Sequence, residues 1–122
     1  MAERTSKINI GGEEYELFLS TRAMKEILQR YGSFDKLSDK LDGESVAEQL
    51  DEVVWLITLL AGQSVKIHNL KNKDNQRHIL TVDEVEVLTT PFELSEYKEA
   101  ITEAMLRGTA RNVESEDDAK NT

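Results

Sequence analysis

One stretch constrains this chain more than any other: Ser45-Val-Ala-Glu-Gln-Leu-Asp-Glu-Val-Val-Trp-Leu-Ile-Thr-Leu-Leu-Ala-Gly62. It predicts a helix from about Val46 to Ala61. Ser45 and Glu48 have the spacing of a capping box, in which the serine takes the N3 amide and the glutamate reaches back. Glu48, Asp51 and Glu52 lie in the first half, where carboxylates suit the positive helix end. Gly62 fits the C′ position, which favours a left-handed backbone. From Val53 to Ala61 only Thr58 is polar. A helix apolar all round is covered on every side, so the rest of the chain is expected to wrap it. At about 24 Å it would cross a small domain, and it reads as too short and too acidic for a membrane span.

Around that helix the fold class expected is α+β, mainly α, with an N-terminal β-hairpin packed on a small helical domain. Residues 6–19 read as the hairpin, turning at Gly11-Gly12. This register pairs Ile8 with Tyr15 and Lys7 with Glu16. Ile8, Ile10, Tyr15, Leu17 and Leu19 then share one face; Lys7, Asn9, Glu14 and Glu16 share the other, and Phe18 falls unexplained on the polar side. Two strands also leave outer edges, which can template further pairing.

Helices are expected at about 21–31, 33–41, 46–61, 82–88 and 95–107. Ser20 or Thr21 caps the first, whose stripe is Ala23, Met24, Ile27, Leu28 and Tyr31, and Gly32 ends it. Phe34, Leu37 and Leu41 line the second. Thr81 and Glu84 form another capping-box pattern, with Val85 and Leu88 facing inward. Leu94, Tyr97, Ile101, Ala104 and Met105 make the last stripe, with Gly108 as its stop. Pro91 either breaks the chain before that helix or sits at its N1 position, with Thr90 and Glu93 as the box. Residues 63–80 are the least determined. Val65, Ile67 and Leu70 fit a strand by alternation and a helical turn or two by propensity, and the helix is preferred. Lys71 to Arg77 reads as a polar loop.

The domain organisation is one globular unit over 1–108 and a flexible acidic tail over 109–122, since that end holds too little apolar surface to order itself. The chain has 122 residues, no cysteine and a formal charge of −9. Absence of cysteine excludes disulfides and thiolate metal sites. The negative charge argues against a general nucleic-acid binder, whose affinity comes from neutralised phosphates, and favours solubility or a basic partner. The first residues lack the apolar region of a secretion signal.

No catalytic constellation, cofactor cradle or metal site stands out. His68 and His78 are ten positions apart, outside metal-ligand spacing, and the carboxylates are scattered over polar faces. Two surface features remain as candidate protein-binding sites. One is the basic segment of Lys66, Lys71, Lys73 and Arg77, read either as a solvated loop or as a contact for an acidic surface, another copy of the chain included. The other is the acid run of Glu114, Glu116, Asp117 and Asp118, read as a solubilising end or a recruiting arm. Trp55 reads as core, or as an interface anchor if it faces outward.

Several phrases resemble the tail assembly chaperones of long-tailed bacteriophages, the type found in phages and prophages of Gram-positive hosts. They are Ile8-Asn-Ile-Gly-Gly-Glu-Glu-Tyr-Glu-Leu17, Val53-Val-Trp-Leu-Ile57, His68-Asn-Leu-Lys-Asn72, Thr90-Pro-Phe-Glu-Leu94, Glu96-Tyr-Lys-Glu-Ala-Ile101 and Gly108-Thr-Ala-Arg-Asn-Val-Glu-Ser-Glu116. The resemblance implies a non-enzymatic protein without cofactors, working in the bacterial host cytoplasm and absent from the mature virion. It implies binding to the tape-measure protein, recruitment of tail-tube subunits, possible self-association, and no nucleic-acid or membrane partner. It also implies a longer product made by ribosomal frameshifting, for which Ala119-Lys120-Asn121 permits a slippery run of adenines. The alternatives are an acidic host-directed phage protein such as a DNA mimic, and a small regulatory domain with a ligand pocket.

Overall fold

The computed structural model describes the backbone of residues 5–43 and 45–121, with side chains over 6–43 and 45–109. The protein is a small α+β protein, mainly α and 69% helical, with a two-stranded antiparallel hairpin at its N-terminus and five helices. The elements are β1 (Thr5–Ile10), β2 (Glu13–Phe18), α1 (Thr21–Tyr31), α2 (Phe34–Leu41), α3 (Val46–Lys71), α4 (Val82–Leu88) and α5 (Pro91–Asn121).

The hairpin has the register that its turn imposes. Gly11 and Gly12 take φ of 60° and 89°, a region that glycine enters freely, and Ile8 lies opposite Tyr15, with Lys7 opposite Glu16. Ile8, Ile10, Tyr15, Leu17 and Leu19 are buried together against the helices; Phe18 is half-buried. Each strand edge is met by a helix side chain. Tyr97 of α5 donates its hydroxyl proton to the Asn9 carbonyl, and Ser64 of α3 donates to the Glu16 carbonyl at 2.7 Å. Both groups interrupt the rows of open carbonyls on which another strand would pair.

Ser20, Ser33 and Ser45 cap the first three helices, each accepting from the amide three residues on. Gly32, at φ 91°, ends α1. Thr81 and Glu84 form the full reciprocal box at α4. A second reciprocal box joins Thr90 and Glu93, with Pro91 as the first residue of α5. The proline therefore opens the helix, four residues earlier than position 95, because N1 needs no amide proton.

Two further boundaries differ from expectation, each at a glycine inside a helix. The central helix does not stop at Ala61. It runs to Lys71, about 39 Å at 1.5 Å per residue, and Gly62 is buried inside it against Ile79. By length and hydropathy α3 does qualify as a possible membrane span, yet half of that stretch is buried by the protein's own elements. Likewise α5 continues through Gly108, where a Cβ would lie 2.7 Å from the Cβ of Leu19. Neither glycine has positive φ. Gly62 is enclosed by the fold and Gly108 allows a close approach, so neither acts as a cap. The expected tail over 109–122 begins within α5, and its side chains from residue 110 lie outside the described residues.

The core is built on α3. Leu56, Ile57 and Leu60 have no exposed surface, and the hairpin face meets them together with Ile27, Val85 and Ile101. Coverage is incomplete on one side, where Trp55, Thr58 and Leu59 are only half-buried. Trp55 is thus neither wholly core nor free. It meets Tyr31 edge-on at 5.9 Å, and the Arg30 guanidinium stands 4.4 Å above its ring. Burial beside Glu52, which accepts its hydroxyl proton, pushes the Tyr31 phenol up. Leu28 and Leu88 depart from their expected stripes and are exposed, Leu88 lying beside Gly11 at the hairpin turn.

The two interior glycines respond oppositely to the same substitution. Gly108→Ala loses stability despite alanine's better helix propensity, since the new methyl meets the Cβ of Leu19, which cannot swing aside. Gly62→Ala meets only an ordinary 3.8 Å contact with Ile79 and gains about 0.5–1 kcal/mol. Chemical denaturation of both variants checks this pair of signs; equal shifts would contradict the packing role of Gly108.

Candidate protein-binding groove

The extension of α3 beyond Gly62 creates a concave surface with apolar lining. Gln63 is buried one position later and ties two elements together. Its side-chain oxygen accepts from Ser20 at 2.6 Å, while Ser20 accepts from the Ala23 amide at 3.0 Å and so caps α1. The start of α1 is thereby held against the end of α3. The open space between them, about 790 Å³, is a groove lined by the apolar Ile67, Leu70 and Ile79 and by the cations Arg22, Lys66 and Lys73.

The far wall is a loop that α3 folds back on itself. Asn69 holds the backbone of Arg77 at both its polar atoms, accepting from the amide at 2.8 Å and donating to the carbonyl at 3.0 Å. The backbone N–H of Asn72 closes the helix on the His68 carbonyl at 2.9 Å. Residues 72–77 are all exposed, as expected of a polar loop, and these contacts fix its path so that Lys73 and Gln76 line the groove. Farther on, a hydrogen bond with His78 and another from the Thr81 amide hold the Glu84 carboxyl below its ordinary range, which fastens the entry to α4.

Of the four basic residues singled out in the sequence, the structure brings two to the groove. Lys66 and Lys73 border it. Lys71 is exposed at the last position of α3. Arg77 turns the other way and lies 5.0 Å above the Tyr15 ring, among the residues around the hairpin turn. Glu114, Glu116, Asp117 and Asp118 lie outside the described side chains. Sequence reasoning missed Arg22, Leu70, Ile79 and Asn69 as groove residues. Leu70 offered a signal, as an apolar residue within a polar run that a continued helix would place beside Ile67; Arg22 and Ile79 come from distant parts of the chain and offered none.

Leu70 keeps 75% of its surface exposed, although the chain has no shortage of polar residues for such a position. A second apolar group stands elsewhere, at the junction of α4 and α5, where Val87 and Phe92 are 83% and 75% exposed. A different groove, between β1 and α5, is lined by Glu93, Glu96, Glu99 and Glu103 together with Lys7 and Arg107. Among the described residues no three histidine, aspartate or glutamate side chains converge as metal ligands. His68 and His78 are engaged with the Asn75 carbonyl and the Glu84 carboxylate. The groove can therefore bind by apolar contact and positive charge, and it holds no nucleophile with an adjacent base. Comparison with protein-family models, curated proteins and solved structures returns no match.

The loop wall depends on one side chain. Asn69→Ala removes both bonds to Arg77, and the Arg77 amide then exchanges its proton about tenfold faster, the equivalent of about 1.4 kcal/mol, a typical worth for such hydrogen bonds. The melting temperature changes little, because the site is exposed. Native-state hydrogen exchange checks this; an unchanged Arg77 rate would show that the loop is held by something else.

Proposed function

We propose that this protein is a tail assembly chaperone of the long-tailed bacteriophage kind, which keeps the tape-measure protein in solution and brings tail-tube subunits to it. The reading draws on the likeness of the hairpin, central-helix and α5 phrases to that family. The single structural observation that supports it most is an apolar groove left open on a strongly acidic protein. A chaperone of this kind needs an apolar surface for the partner and a charged exterior to keep the complex dispersed. The net charge of −9 supplies the second property.

Two partners call for two surfaces. Val87 and Phe92 lie outside the groove and share no lining residue with it. In this reading they meet the tail-tube subunit while the groove holds the tape-measure protein. Its place of action is the host cytoplasm, before the virion is complete. The DNA-mimic alternative is less well supported, because Arg22, Lys66 and Lys73 put a cationic edge where a continuous row of carboxylates would be needed.

Co-expression with the tape-measure protein encoded beside it tests the proposal. The expected outcome is a several-fold rise in soluble tape-measure protein, reduced when exposed Leu70 is changed to Asp. Equal insolubility with and without this protein would overturn the assignment.

A further inference from the structure

We propose that the groove between the start of α1 and the end of α3 is selective for an amphipathic helix carrying acidic residues on both flanks of its apolar stripe; this rests on the chaperone reading for its biological partner. The charge of the lining runs against the charge of the chain. Acidic side chains outnumber basic ones 24 to 15 overall, yet the groove is bordered by Arg22, Lys66 and Lys73 and by no carboxylate. Elsewhere cations are used internally, Arg30 with Glu52 and Arg107 with Glu103. None of the three groove cations forms an ion pair among the described residues. They reach the groove from both of its helical walls, Arg22 from α1 and Lys66 and Lys73 from α3 and its loop.

The walls decide the shape of the occupant. They are two helices and a loop, with no strand edge among them, so an extended peptide would find no ladder of backbone partners there. A helix satisfies its own backbone and needs only an apolar stripe at i, i+3, i+4 and i+7. Such a stripe can rest on Ile67, Leu70 and Ile79 with carboxylates reaching the cations on either flank. Pairs of this kind, formed at the rim, are sensitive to salt and serve selection more than raw affinity.

The test uses two blocked peptides of about 18 residues, long enough to form helix. Both carry the same leucine stripe, flanked by glutamate in one and lysine in the other. Calorimetry at low salt is expected to give the glutamate peptide at least about tenfold tighter binding, the equivalent of 1.4 kcal/mol. Lys66→Glu combined with Lys73→Glu abolishes that preference, and both sites are exposed, so the fold is kept. Equal binding of the two peptides, binding of neither, or an unchanged preference in the double variant would each overturn the inference. Solubilisation of the tape-measure protein without peptide binding would leave the chaperone reading standing and remove this one. Selective peptide binding without solubilisation would do the reverse.

Discussion

Everything in this fold depends on covering α3. A 26-residue helix with an apolar middle from Val53 to Ala61 cannot remain exposed in water, since burying each such side chain is worth about 1.5–3 kcal/mol. The hairpin is marginal alone, and α2 and α4 have only 8 and 7 residues, too short to persist in isolation. Each gains its stability by laying one face on the same spine. The capping serines, the two reciprocal threonine–glutamate boxes and the turn glycines fix where the elements start and stop, while the apolar contact with α3 fixes that they exist at all.

The same helix makes the groove. Its buried half ends near Val65, and the remaining turns project beyond the hairpin, half-covered by α1 and by the loop that Asn69 draws back. One continuous element therefore carries the core in its middle and the proposed recognition surface at its C-terminal end. Gln63 sits between the two regions, a buried polar group satisfied by Ser20 and by its own helix. That bond links the cap of α1 to the wall of the groove. A disturbance at the N-cap of α1 is thus expected to reach the groove without passing through the core.

Local rules were legible in the sequence; glycine in its helical role was not. The hairpin register follows from Gly11-Gly12 and two-residue alternation, and the starts of α1 to α4 follow from Ser20, Ser33, Ser45 and Thr81. Gly32 stops a helix, while Gly62 and Gly108 lie inside one. All three look alike in one dimension, because the sequence does not show that Ile79 and Leu19 will press against the latter two. Pro91 was equally ambiguous between breaker and first residue, and the reciprocal bonds of Thr90 and Glu93 decide for the first residue. Of the groove, Lys66 and Lys73 could be picked out as cations in an acidic chain. Arg22 and Ile79 join them only through the packing of α1 and the returning loop, long-range facts with no local signature.

The central claim is that α3 is one uninterrupted spine shared by core and groove. Residue-resolved hydrogen exchange under native conditions tests it most directly. The account predicts that the amides of Gln63 to Lys66 are protected to the same free energy as those of Leu56 to Leu60, opening only when the whole protein unfolds. Faster exchange beginning at Gly62, through a separate low-energy opening of the segment beyond it, would contradict the account and detach the groove from the core.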